Sequence, residues 1–356
     1  VVVNLSHNKQ FDLTAIDLFC GAGGLTLGLK QAGFKVLVGV EVDFVAAETY
    51  RMNHSDSICL EQDIRQVDPL VLMKMLGLVE GQLTLLAGCP PCQGFSTLRT
   101  KKKSCSVDDD RNELLFEYLR FVEAFRPQAL MMENVPALLK DGRMEVLLNR
   151  LKVLGYFVDE NSVRVENAAN YGVPQRRNRM IMQVLKNGKP AVAEMSKKIS
   201  VREALSKAKL APVGLSGDAL HDDSSKHGDR VLAVIKAIPK DGGSRESLPK
   251  RLVLDCHKNY ASGFKDVYGR MKWDDVAPTI TGGCGNPSKG RFLHPEEDRA
   301  ISLREAAIFQ SFPKNYFFSD KKGRAGIALM IGNALPPEFI RRHAVAISRS
   351  LKGGVI

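Results

Sequence analysis

The sequence predicts an α/β protein: a doubly wound, mostly parallel sheet followed by a smaller, loop-rich region. Three observations predict it. Apolar, strand-like runs alternate with helix-like segments through the first half of the chain. A glycine-rich turn, Gly21-Ala22-Gly23-Gly24, joins the first strand to the first helix, and Glu41 closes the next strand. Past Lys186 the texture changes to clusters such as Lys240-Asp241-Gly242-Gly243-Ser244, with few clear amphipathic helices before about Arg299.

Leu13 to Phe19 reads as a buried strand, and Leu25 to Gln31 as a short helix closed by Gly33. Lys35 to Val40 is a second strand, Phe44 to Met52 a second helix, and Ser57 to Leu60 a third strand. Leu83 to Ala87 and Ala129 to Met132 are further apolar strands. Between them, Asn112 to Phe125 sets Leu115, Leu119, Val122 and Phe125 at helical spacing. Helical patterns return at Leu303 to Gln310 and at Pro337 to Leu351, and no internal repeat is visible.

The chain has 356 residues, enough for one large domain or two modest ones. Its hydrophobic share of 44% is ordinary, but its net charge of +11 and pI near 9.3 point to a polyanionic partner, nucleic acid first. Seven cysteines without framework spacing argue for a reducing compartment. No apolar run approaches the roughly 18 residues of a membrane span, and Val1 to Gln10 lack a signal-peptide pattern. The expectation is a cytoplasmic protein without a membrane partner.

Residues Gly88 to Ser96 read Gly-Cys-Pro-Pro-Cys-Gln-Gly-Phe-Ser after an apolar strand. The two prolines stiffen the turn and remove backbone donors. Cys92 then stands at a loop mouth, where a thiolate is a strong nucleophile. Cys89 and Cys92 also spell C-x-x-C, but no second pair at matching spacing exists to complete a zinc site, and a thioredoxin-type pair belongs to a smaller fold. Glu133, at the end of another apolar strand, is placed for proton work. The glycine turn lets a ligand approach the backbone, and Glu41 can accept from both hydroxyls of a ribose. Asp63, after the third strand, can accept from an adenine amino group. No Gly-Lys-Ser/Thr follows the turn, so S-adenosylmethionine suits the site better than a dinucleotide or ATP.

Asp17 to Gly24, Pro91-Cys92-Gln93 and Glu133-Asn134-Val135 are followed by Gln175-Arg176-Arg177-Asn178-Arg179, by Leu303-Arg304-Glu305-Ala306-Ala307 through Gln310-Ser311-Phe312-Pro313, and by Gly332-Asn333-Ala334-Leu335-Pro336-Pro337. Six motifs in this order resemble the bacterial cytosine-C5 DNA methyltransferases, over about Leu13 to Leu351. The resemblance implies a Rossmann-like fold, a covalent Cys92 intermediate at cytosine C6, and methyl transfer from S-adenosylmethionine to C5 of a flipped base in double-stranded DNA. It implies that Glu133 binds the N3 and N4 edge, and that Arg177 and Arg179 act as fixed charges at cytosine O2 and the thiolate. Phe19 would stack on the adenine, with Gly21, Gly23 and Gly24 in the turn, Val42 on the other side, and Ile64 and Leu114 at the pocket wall. Asn333 and Ala334 would lie at the cofactor's methionine end. Ala334 departs from the serine frequent there, and Val42 is smaller than the aromatic of some relatives.

The resemblance also divides the chain into a catalytic and cofactor-binding domain (1–186), a target-recognition domain (187–325) and a C-terminal segment returning to the first domain (326–356). Gln93 and Ser96, in a long loop carrying Lys101-Lys102-Lys103, and Arg270 and Thr281, in the recognition region, are the expected DNA contacts. Between Lys240 and Arg291, ten Lys or Arg stand against six Asp or Glu. A monomer without metal is expected, associated with the nucleoid through DNA. The alternative is a tRNA-modifying relative, whose Cys-Phe-Thr signature is missing between residues 187 and 300.

Overall fold

The computed structural model describes residues 13–91, 114–223, 227–253 and 266–353. Seven strands form one sheet: β1 (Thr14–Leu18), β2 (Lys35–Glu41), β3 (Ile58–Glu61), β4 (Leu85–Gly88), β5 (Ala129–Asn134), β6 (Val163–Asn167) and β7 (Asn178–Leu185). Their order is β3-β2-β1-β4-β5-β7-β6. The first five pair in parallel, while β7 runs antiparallel to both β5 and β6. The expected strands are all present within a residue or two of their predicted limits. The sequence reading did not include β6 and β7. In β6, half-buried Val-Arg-Val-Glu-Asn offers no apolar run, because it is the sheet's edge.

Alternation along β1 splits its residues between two cores. Ile16 and Leu18 join a cluster with Leu115, Phe121 and Val122 of α4 (Leu114–Phe125) and with Leu147 and Leu151 of α5 (Gly142–Val153). Ala15 faces the opposite cluster, built on Leu25 and Leu29 of α1 (Gly24–Gln31) and Phe339, Ile340 and Ile347 of α11 (Pro337–Gly353). Helices thus cover both faces, as a doubly wound sheet requires. Asp43 caps α2 (Phe44–Asn53) by accepting from the backbone of Val45 and Ala46. Asp68 does the same for α3 (Pro69–Met75), which starts on a proline.

Beyond residue 186 there is more helix than the sequence reading expected. Ser200 and Glu203 form a capping box at the head of α6 (Val201–Ala208). α7 (Ala219–Asp222) and α8 (Asp229–Ala237) follow, and a second capping box, Ser302 with Glu305, opens α9 (Leu303–Phe309). The domain limit drawn at 325/326 falls inside α10 (Gly323–Asn333). Ile327, Ala328 and Ile331 of that helix share a core with Val201, Met271, Ile280 and Phe309.

Candidate active site

Parallel winding brings the carboxyl ends of β1, β2, β4 and β5 to one rim. Leu18 pairs with Val40 on one side and Gly88 on the other, and Gly88 pairs with Met132. Glu41, the glycine turn, Cys89 and Glu133 therefore all emerge at the same level. Strand order reverses between β1 and β4, which is where such sheets bind ligands.

On the β1–β2 side, the Glu41 carboxylate accepts from Gly21 N at 2.9 Å and from Asp43 N at 2.7 Å. Each oxygen keeps a lone pair free for another donor. Burial raises the Glu41 pKa, and those backbone N–H groups oppose the shift. Phe19 has a left-handed backbone (φ 64) and packs half-buried on the core. Val42 is 67% exposed although apolar, and no described residue lies within 4 Å of where a Cβ on Gly21 would stand. Asp17, fully buried below the turn, accepts from Thr26 Oγ1 at 2.6 Å through one oxygen, and its Oδ1 has no partner among the described residues. An open turn, a bare apolar strand end and a strand-end acid fit a nucleoside-bearing ligand.

The more distant cofactor candidates are placed less simply. Asp63 caps the Ile64–Gln66 turn and is forked by the Arg65 guanidinium. Ile64 is buried in the main core, with its side chain turned inward, and Leu114 packs half-buried against that core. Asn333 is exposed at the end of α10, next to half-buried Ala334.

On the β4–β5 side, Glu133 is 2% exposed. Cys89 Sγ donates to its Oε2 at 3.0 Å, and Arg179 Nε lies 2.9 Å from Oε1. Burial pushes the Glu133 pKa up, against the pull of Arg179 and Arg177. Burial and the Glu133 charge together push the Cys89 thiol up, so it stays protonated and serves as a donor. Asn134 Nδ2 donates to Pro90 O at 2.9 Å, tying the proline turn to the end of β5. Cys92, Gln93 and Ser96 lie outside the described residues. Pro91, the residue before Cys92, is anchored within this rim by its neighbour Pro90.

Arg177 is nearly buried, and its two terminal nitrogens donate to Ile280 O (3.0 Å), Gly332 O (3.0 Å) and Ala334 O (3.2 Å). Among the described residues its Nε alone has no partner. Gln175 and Gln310 extend this buried knot: Gln175 Nε2 donates to Phe309 O, Ile280 N donates to Gln175 Oε1, and Gln310 Nε2 donates to Ile331 O. A Cβ on Gly332 would run into the backbone of Thr281 and Gly282. Sequence reading assigned no role to Cys89, Asn134, Gln175 or Gln310. Asn134, Gln175 and Gln310 stood inside recognised motifs, but their partners come from distant segments that no motif names.

Of the two described DNA candidates, Thr281 is exposed beside this knot. Arg270 is a correction. It is 0% exposed, and its guanidinium donates to Ile235 O, Ile238 O, His294 O, Glu297 O and Asp298 Oδ1. With every N–H committed to those five acceptors, it has none left for a phosphate or a base. Among the described residues no group of three or more His, Cys, Asp or Glu is placed to hold a metal, and no helix is long and apolar enough to cross a membrane.

The fold defines the class. It is the Rossmann-like α/β architecture, and a protein encoded within an Escherichia coli prophage shares it with a TM-score of 0.72 at 21% identity, over 96% of this chain and 99% of that one. Residues 13–349 match the C-5 cytosine-specific DNA methylase family, and the chain belongs to that family. It is a DNA (cytosine-5-)-methyltransferase. The Type II methylase M.HgiDII of Herpetosiphon aurantiacus is 36% identical over 351 residues, covering 95% of this chain and 96% of that one. The Type II methyltransferase M.AgeI of Thalassovita gelatinovora is 30% identical, covering 94% and 99%.

Proposed function

We propose that the chain methylates C5 of a flipped cytosine in a specific double-stranded DNA sequence, with Cys92 as nucleophile and Glu133 as the acid at the base's N3 edge. The observation that carries this reading is the Glu133 carboxyl. It is buried at the end of β5, held between a thiol donor and an arginine, beside the proline turn that leads to Cys92. A raised pKa favours its protonated form, which can donate to N3 as the ring takes up charge. Arg179 keeps a positive charge beside that charge build-up. Cys92 adds to C6, which breaks the ring's aromaticity and makes C5 nucleophilic. It leaves again when the C5 proton is removed.

The glycine turn, Glu41 and the exposed Val42 would hold S-adenosylmethionine, which supplies an electrophilic methyl group when bound. Arg177 would act chiefly by holding the loop at Ile280 and the end of α10 in place, with Nε its one donor left without a partner among the described residues. Thr281, Gln93 and Ser96 are the proposed DNA contacts, in a monomer working in the bacterial cytoplasm at the nucleoid. The Type II names of its relatives support pairing with a restriction endonuclease.

Cys92→Ser should abolish methyl transfer while retaining cofactor binding. A duplex with 5-fluorocytosine at the target should trap wild-type protein in a complex that survives denaturing gels, and the serine variant should give none. Methylation by Cys92→Ser at near wild-type rate would sink the covalent route. A covalent species on fluorocytosine RNA but not DNA would favour the tRNA alternative. Bisulfite sequencing of DNA from expressing cells would read the target sequence directly.

A further inference from the structure

Two side chains from opposite ends of the chain support the glycine turn from beneath. Tyr316 lies between α9 and α10, and its hydroxyl donates to Ala22 O at 2.6 Å. His54, the residue closing α2, places Nε2 at 3.1 Å from Gly23 O and 3.0 Å from the Tyr316 hydroxyl. A carbonyl only accepts, so Nε2 carries the proton and the tautomer is fixed. Burial, helped by the Lys30 charge, lowers the His54 pKa to about 4, so the ring is neutral near pH 7. Burial likewise keeps the Tyr316 hydroxyl protonated.

The space is tight. Gly23 is left-handed (φ 92), and a Cβ on it would collide with His54 Nε2 and come within 2.8 Å of the Tyr316 hydroxyl. Tyr316 is itself fixed. Its ring packs on Phe312 with centroids 4.6 Å apart, and its carbonyl accepts from Arg304 Nη1 at 2.8 Å. The following residues are sewn to α2: Phe317 exchanges hydrogen bonds with Asn53, and Ser319 N donates to Thr49 Oγ1.

We propose that Tyr316 and His54 are positioning residues for the cofactor, setting the Ala22-Gly23 backbone from below. The proposal rests on the reading of the glycine turn as the S-adenosylmethionine site. Two carbonyls of the turn are held by these donors, so the turn keeps its curvature before a ligand arrives. The donors come from outside the turn, one from the end of α2 and one from between α9 and α10. Neither touches substrate.

The test uses the full chain, with S-adenosylmethionine binding measured by calorimetry and with steady-state methylation. Tyr316→Phe keeps the ring and loses the hydroxyl. Its Kd and KM for S-adenosylmethionine should rise about three- to tenfold, while kcat at saturating cofactor stays within about twofold of wild type. His54→Gln, which retains a donor, should lose less affinity than His54→Ala. Wild-type affinity in Tyr316→Phe at an unchanged unfolding midpoint overturns the proposal. If Tyr316→Phe proves unstable, the His54 pair decides, and equal losses in the Gln and Ala variants overturn it. Failure of the wild-type protein itself to bind S-adenosylmethionine would overturn the cofactor reading, and the proposal with it.

Discussion

The sheet and the region after residue 186 satisfy their buried backbone in different ways. In the sheet, main-chain ladders between neighbouring strands do nearly all of it, and apolar side chains fill both faces. Among the described residues of the later region there is no named strand, only isolated bridges such as Arg270 with Leu293 and Leu293 with Ala300. Arginines take over there. Arg270 alone reaches four carbonyls, and Arg291 Nη1 donates to Gly242, Gly243 and Arg270 carbonyls. A ladder needs only the right backbone, so many sequences can make it. An arginine hub needs one side chain at one position, so a single substitution can undo it.

The largest expected effect tests that difference directly. Arg270→Met should cost about 3–5 kcal/mol, because it takes the donor from four carbonyls at once, while Asp298 keeps Lys240. Hydrogen exchange should accelerate across α8 and the 291–300 segment while β1, β4 and β5 keep their protection. Equal acceleration in the sheet would show that the two regions open as one unit, and the contrast would fail.

A smaller effect belongs to the ladder side. Glu41 is held by its strand and by two backbone donors, so Glu41→Ala should leave the sheet intact and weaken S-adenosylmethionine binding. A charge-assisted hydrogen bond is worth about 1.5–3 kcal/mol, which is a loss of at least about tenfold in affinity. Calorimetry that finds unchanged affinity would remove Glu41 from the site.

The smallest effects should differ in sign between the regions. Burial raises Asp17 to about 7. The folded chain then holds a proton that the unfolded chain has lost, so this group's contribution strengthens folding as pH falls from about 7 toward 4. Glu305 is also buried, but Arg299, donating to both its oxygens at 2.8 Å, outweighs burial and lowers its pKa. That contribution is present above the usual carboxylate range and is lost as pH falls through it. Asp17→Asn should therefore remove an acid-side gain in stability, and Glu305→Gln an acid-side loss. Denaturant midpoints between pH 4 and 7 check Asp17, and midpoints from about pH 4.5 downward check Glu305; slopes of the same sign would refute the assignment.

These contrasts also explain what the sequence disclosed. Leu83 to Ala87 and Ala129 to Met132 were legible because a strand buried on both faces must be apolar throughout. Gly21, Glu41 and Glu133 were legible because they sit at fixed offsets from such strands. Arg270 was misread: a buried arginine whose partners are carbonyls has the same one-letter context as an exposed one. α6 was passed over although Ser200 and Glu203 spell its capping box, since its single apolar stripe is short. Tyr316 and His54 left no pattern at all, because their meeting depends on how the finished chain folds back. The hydrogen bond from Cys89 to Glu133 was hidden for the same reason.

The placement of α11 carries a consequence for how the protein is made. Its Phe339, Ile340 and Ile347 pack on Leu25 and Leu29 of α1, and Gly28 leaves no room between the two helices for a Cβ because Pro337 O and Ile340 occupy that space. α1 therefore waits for α11. Until α11 emerges, one whole face of the sheet, Ala15, Ala87 and Ile181 included, has only part of its cover. Domains that close in this way fold after translation of the whole domain rather than along with it. A ribosome that stops before Pro337 would release a chain with an open apolar face, a substrate for chaperones and proteases instead of a partly working enzyme.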